Sequence, residues 1–278
     1  MLAILLSLLI VTAAPAAAPA TPAESADPRI VILAYHEVEP DGIPPHGTVP
    51  RGIAVMPSSD EMQRYTSSTE AFSQQLDALA QHGYTVVSMA DVADFLSGKR
   101  TTLPARSAVI TVDDGWRSVK TTMAPELARR SMPFTAFVYP RVIDAHDHHP
   151  FNLTWDDVAA LSKSGVDIES HAFTHPFLSR ARHAELSDAA YAAWLAKELA
   201  DSRSSIAAHT KKEVRFLAFP YGDYDEGVLA ATRAAGYAAA VTTSRGLASR
   251  TSNPLTLPRY LIHHDTTLAE FEGWLEGR

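Results

Sequence analysis

Two adjacent carboxylates, Asp113 and Asp114, follow the run Ala108 to Val112 and precede Gly115. That run is small, apolar or β-branched, which predicts a strand buried on both faces with the two acids at its end. Like charges a few ångströms apart disfavour joint ionisation. A bound cation relieves the repulsion, and one carboxylate could hold it while the other stays free as a base. Gly115 permits a turn with positive φ or a close backbone approach. The plainer reading of these residues is a βα turn with Asp as helix N-cap. A second group weighs against it. His171 and His175 lie in SHAFTHP with the spacing H-x-x-x-H, which puts both imidazoles on one face of a helix, and a tight loop can do the same. Ala172 stands where the zinc-protease pattern H-E-x-x-H has its glutamate. Two neutral imidazoles and one carboxylate, with Asp114 on a neighbouring strand end, make a three-ligand site with open positions, suited to Zn²⁺ or a similar divalent ion.

Other predicted strands also end in polar or aromatic residues. His36 follows RIVILAY, Pro220 and Tyr221 follow Arg215 to Phe219, and the pair His263–His264, with Asp265, follows RYLI. In parallel α/β folds the active site gathers at the C-terminal ends of strands. His146, His148 and His149 fall in a polar loop and are expected to be solvated. Trp116 and Trp155 could line a sugar cleft or simply pack.

The elements that must position these residues alternate. Strands are expected at Arg29 to Tyr35, Tyr84 to Ser88, Ala108 to Val112, Phe134 to Tyr139, Val166 to Glu169, Arg215 to Phe219, Tyr237 to Thr243 and Leu257 to Ile262. Helices are expected from Ser68 or Thr69 to about His82, from Asp91 to Gly98, from Thr121 to Ser131, after Thr154, over Ala184 to His209, over Glu226 to Ala235, and at the C-terminus around Phe271 and Trp274. About seven or eight alternations argue parallel βαβ units, in a closed barrel or a doubly wound sheet. The loop from Glu39 to Ser68 is long and rich in Pro and Gly, as functional or mobile loops are.

The chain has 278 residues, 46% hydrophobic and 20% charged, with a net charge of -8. That suits one sizeable core, and the absence of a basic excess argues against a nucleic-acid partner. There is no cysteine, so any metal must be held by His, Asp or Glu. Leu2 to Ala14 is apolar but shorter than the ~20 residues of a membrane span. Together with the Ala- and Pro-rich stretch behind it, it resembles a secretory signal, although no Lys or Arg precedes it. Residues 1–26 are therefore expected to be signal and linker and 27–278 the folded domain, exported to the periplasm or beyond, with no stable membrane span after signal removal.

TVDDG (Thr111 to Gly115), SHAFTH (Ser170 to His175) and FPYG (Phe219 to Gly222), in that order, resemble the metal-dependent polysaccharide deacetylases of the NodB homology type. The resemblance runs from about Arg29 to the C-terminus. It implies a distorted (β/α) barrel of seven or eight parallel strands. It implies Asp113 as general base, Asp114, His171 and His175 as ligands of one divalent metal (zinc first, cobalt or nickel as alternatives), and Pro220 and Tyr221 lining the substrate groove, with the Tyr221 N–H at the oxyanion. An early strand ending in His, ILAYHEV, and the segment Ser68 to Val92 are similar to a permuted branch that deacetylates poly-β-1,6-N-acetylglucosamine; there His36 is the general acid, with His263 or His264 as rivals. The substrate implied is an acetylated polysaccharide, releasing acetate, with chitin oligomers, peptidoglycan or acetylated xylan as alternatives. Many members carry Arg where this chain has Ala218, so another group must orient Asp113; Arg259 in LPRY is a candidate. A non-heme iron oxygenase also uses two His and one carboxylate, but usually as H-x-D with a distant His. A catalytically dead carbohydrate-binding scaffold would be expected to lack one of Asp113, Asp114, His171 or His175, and all four are present.

Overall fold

The computed structural model describes residues 22–42, 63–145 and 151–277. The signal-like run, most of the long Pro/Gly-rich loop and His146, His148 and His149 lie outside the described residues. Eight strands form one sheet: β1 (Arg29–Tyr35), β2 (Thr85–Val86), β3 (Arg106–Val112), β4 (Phe134–Val138), β5 (Asp167–Ser170), β6 (Phe216–Ala218), β7 (Ala239–Val241) and β8 (Tyr260–Leu261). Their order is β7-β6-β5-β4-β3-β1-β8, with β2 paired to β3, and every pairing is parallel. The sheet curls into a distorted (β/α) barrel. Residues 254–262 run along its open side. The Leu257 N–H donates to Ala240 O and the Arg259 N–H to Ser244 O beside β7, and the Ile262 N–H donates to Ala34 O on β1.

β1 and β3 are paired over seven residues, from Arg29 with Arg106 to Tyr35 with Val112. Their side chains alternate between two cores. Val31, Leu33, Tyr35, Ala108, Ile110 and Val112 pack under the helices, whereas Ile30, Ile32, Val109, Phe137, Phe216 and Val241 fill the lumen. Both faces are therefore apolar, which is why these strands read as continuous hydrophobic runs.

The helices are α1 (Thr69–Gln81), α2 (Met89–Leu96), α3 (Ala124–Arg129), α4 (Pro140–Asp144), α5 (Trp155–Lys163), α6 (Asp188–Thr210), α7 (Glu226–Ala234) and α8 (Leu268–Glu276). Several boundaries differ from the sequence expectation, for local reasons. α2 begins at Met89, because Ser88 is its N-cap and Asp91 closes the capping box. α6 begins four residues later than expected, at the Ser187 cap. The helix expected from Thr121 starts instead as a π turn, Val119–Met123, where the Ala124 N–H reaches back to Val119 O. Pro125, next in line, has no N–H to continue the α ladder. Glu24–Ser25, in the segment read as linker, pairs antiparallel with Leu103–Pro104. No described helix is long and apolar enough to cross a membrane.

Candidate active site

Period two decides which strand-end residues face inward. Ile30 and Ile32 on β1, Val109 on β3, and Phe216 and Ala218 on β6 face the lumen. Counting on in twos reaches His36, Asp113 and Pro220, and from Glu169 on β5, paired with the lumen residue Phe137, it reaches His171. The inward face thus carries apolar residues along the strands and chemistry at the mouth.

Asp113 is held by Arg259. Its two oxygens accept from Nη1 at 2.8 Å and Nη2 at 2.7 Å, the bidentate fork that suits a carboxylate. The same guanidinium donates to Thr111 Oγ1 at 3.1 Å and from Nε to Thr242 O at 2.9 Å. Arg259 is 1% exposed and Asp113 2%, so this is a buried, fully hydrogen-bonded pair. Burial pushes the Asp113 carboxyl up, but Arg259, His171 and His36 together outweigh it and hold it below the usual range. The guanidinium absent at Ala218 is therefore supplied by Arg259.

Asp114 turns away from Asp113 because its backbone is left-handed (φ 74°), as is Gly115 behind it (φ 76°). Trp116 is 4% exposed, and its indole N–H donates to Asp114 Oδ2 at 3.3 Å; it orients this carboxylate. Oδ1 is buried with no hydrogen-bond partner. It lies 3.5 Å from His171 Nε2 and 3.4 Å from His175 Nε2, and the two Nε2 atoms are 3.2 Å apart. His171 Nδ1 is 2.8 Å from Ala218 O. A proton on Nδ1 satisfies that carbonyl and leaves the Nε2 lone pair facing the cluster, the arrangement typical of metal-ligating histidines. Three donor atoms within 4.8 Å of one another, one of them an orphaned buried carboxylate oxygen, fit a divalent cation.

The two histidines sit on a loop. Ala172 and His175 are both left-handed (φ 58° each), and α6 braces the turn between them. Glu198 Oε2 accepts from the N–H groups of Phe173 and Thr174 at 3.1 and 2.9 Å, and Oε1 accepts from Thr174 Oγ1 at 2.9 Å. Ser202 Oγ donates to Ala172 O at 3.0 Å. Sequence reasoning missed Glu198. Its signal was an acid on the buried stripe of α6, among Leu195, Leu199, Ser202 and Ile206.

Pro220 and Tyr221 form a 3₁₀ turn in which Tyr221 (φ 59°) and Gly222 (φ 67°) are left-handed. A Cβ on Gly222 would meet Thr243 Oγ1 at 2.0 Å, so only glycine fits. The Tyr221 ring packs against His175 with centroids 4.7 Å apart, and Tyr139 packs on His175 at 5.0 Å.

His36 and His263 flank Tyr65, with centroids 4.5 and 5.2 Å from it. Burial pushes the His36 imidazole below its ordinary range, against the pull of Asp114 and Asp113. For His263, burial, Arg64 and His36 act downward, and the opposing carboxylates are Asp265 and Glu270. Of the two, His36 is therefore the one in the field of the acid pair. His36 Nδ1 is buried with no hydrogen-bond partner. His264 is exposed. Trp155 stacks on His209 at 3.8 Å and donates to Asp144 at 2.7 Å, packing on the helical layer.

The chain matches the family model described as polysaccharide deacetylase over residues 100–240, a span that holds the Asp pair, both histidines and the Pro-Tyr-Gly turn. A poly-β-1,6-N-acetyl-D-glucosamine N-deacetylase of Staphylococcus aureus (strain MRSA252) is 24% identical over 219 residues, which cover 78% of this chain and 74% of that relative. Among solved structures, IcaB from Ammonifex degensii has a TM-score of 0.70 at 24% identity, covering 90% of this chain and 98% of its own. The de-N-acetylase from Aggregatibacter actinomycetemcomitans has a TM-score of 0.72 at 21% identity, covering 88% and 99%. At these identities the structures speak for the fold, and the family model speaks for the motifs within it. The chain belongs to the polysaccharide deacetylase family.

Proposed function

We propose that this polysaccharide deacetylase is a metal-dependent N-deacetylase whose substrate is poly-β-1,6-N-acetylglucosamine. The observation that carries the metal is the convergence of Asp114 Oδ1, His171 Nε2 and His175 Nε2, with Asp113 Oδ2 beside them, 3.9 Å from His171 Nε2, and both Asp113 oxygens held by Arg259. A divalent ion bound there, zinc first and cobalt or nickel as alternatives, supplies a Lewis acid and acidifies water. The residues of the chain do the rest. Asp113 accepts a proton as a water oxygen adds to the amide carbonyl carbon. The Tyr221 N–H stabilises the oxyanion that forms. His36 donates a proton to the nitrogen as the C–N bond breaks, because an amine leaves poorly unless protonated. Acetate and a free glucosamine unit result.

The polymer is supported by the early strand ending in His36 and by the Staphylococcus aureus relative, whose own substrate is in its name. An extracellular polymer agrees with the signal-like run within residues 1–26. The test is acetate release from β-1,6-linked N-acetylglucosamine polymer, chitin oligomers, peptidoglycan and acetylated xylan at matched acetyl concentration, with chelator-treated chain as control. The β-1,6 polymer should be the fastest and the chelated chain silent. Faster release from chitin oligomers would overturn the polymer, and full activity in chelator would overturn the metal.

A further inference from the structure

Three large apolar side chains are exposed among the described residues: Phe177 at 39%, Tyr221 at 49% and Leu268 at 37%. Two of them, Phe177 and Tyr221, stack on each other with centroids 4.2 Å apart and planes 19° from parallel. Tyr221 also meets the ring of His175. The Arg182 guanidinium lies 4.5 Å from the Phe177 centroid and makes no ion pair among the described residues. His175, Tyr221, Phe177 and Arg182 thus form a column that runs from the metal-ligand cluster out to the surface.

The column is held firmly. The loop carrying Phe177 and Arg182 is tied to the segment after Tyr221 by two carboxylates. Asp223 accepts from the Ser179 N–H at 2.7 Å and from Ser179 Oγ at 2.9 Å, and Asp225 accepts from the Arg180 N–H at 2.7 Å. The Phe177 carbonyl lies 2.7 Å from His183 Nε2. An aromatic pair fixed this way yet left exposed gains little for folding and costs solubility; such patches mark binding sites. The surface it offers is apolar with hydrogen-bond donors at its end, and it adjoins His175 of the ligand cluster. A pyranose ring matches this, with a C–H face for the aromatics and hydroxyls for the guanidinium.

We propose that Phe177, Tyr221 and Arg182 form a subsite for the sugar unit next to the one deacetylated, so that the enzyme selects chains over single sugars. This rests on the deacetylase reading of the same mouth. A preformed shelf loses little entropy on binding, so its contribution appears as affinity.

The test uses the full chain and N-acetylglucosamine oligomers of one to five units, in β-1,6 and β-1,4 linkage. KM for acetate release should fall as a second and third unit are added. Phe177→Ala should raise KM for the longest oligomer by about tenfold, with kcat within about twofold, since a contact made equally in ground and transition states moves KM. Arg182→Ala should act in the same direction, and Phe177→Trp should restore the wild-type KM. Calorimetric titration of the same oligomers into metal-loaded Asp113→Asn, with and without Phe177→Ala, should show the same loss of affinity. An active wild type whose KM and affinity are untouched by Phe177→Ala overturns the subsite alone. A wild-type chain that neither binds nor deacetylates oligomers of any length overturns the deacetylase reading with it.

Discussion

At the residue scale, the two acids of one dipeptide are separated by backbone conformation and by partner. Asp113 keeps the strand parity and meets a guanidinium, whereas Asp114, at φ 74°, meets two imidazoles. In the proposed mechanism the first is the base and the second a metal ligand. Asp113→Asn should keep its metal content and lose turnover by about 10²-fold or more, since it removes a proton acceptor and leaves the ligand set whole. His36→Ala should do likewise, while His263→Ala and His264→Ala stay near wild type. The check is kcat at saturating substrate with metal content measured on each variant. A silent His263→Ala beside an active His36→Ala would reverse the assignment of the acid.

At the scale of elements, the loop that carries both histidines depends on α6. Left-handed Ala172 and His175 cost energy, and such strain persists only where the surroundings hold it; here they are Glu198 and Ser202. Glu198→Ala removes three hydrogen bonds to Phe173 and Thr174 without touching a ligand. Metal affinity should fall by about 10- to 100-fold, the usual cost of losing an outer partner, with the helix itself intact by circular dichroism. Unchanged affinity in a competition titration with a chelating dye would show that the loop stands without its brace.

At the scale of the whole molecule, Arg259 links the closing segment to β3 across the lumen. It reaches Asp113 and Thr111 on one side and Thr242 on the other. Truncating one partner of a buried pair leaves an uncompensated charge, at about 3–5 kcal/mol. Arg259→Ala should therefore lower stability by about 3 kcal/mol in urea titration, and loss of under about 1 kcal/mol would argue against the link. Much of this architecture was legible in the sequence. The continuous apolar strands and the polar residues at their ends follow from the sequence, whereas the shared inward parity of His36, Asp113 and His171 needs the observed cores and the strand register. The alternation of elements alone leaves barrel and doubly wound sheet open, because the choice depends on residues 254–262 reaching both β7 and β1, a pairing of distant segments with little local pattern; the family resemblance points to the barrel, and the structure bears it out. Glu198 and the Ala218 carbonyl escaped for the same reason, since each acts on a residue that is adjacent only in space. For Trp116 the sequence leaves cleft lining and packing both open, because an indole beside an acid pair signals either, and only the direction of its N–H shows that it orients Asp114.

The central claim is that Asp114, His171 and His175 hold one divalent ion. The direct measurement is the zinc content per chain after reconstitution and desalting, for wild type and His171→Ala, by atomic emission. Wild type should carry one ion per chain and His171→Ala little or none, with folding of both confirmed by circular dichroism. Equal, full occupancy in a folded His171→Ala chain would contradict the site and the chemistry built on it.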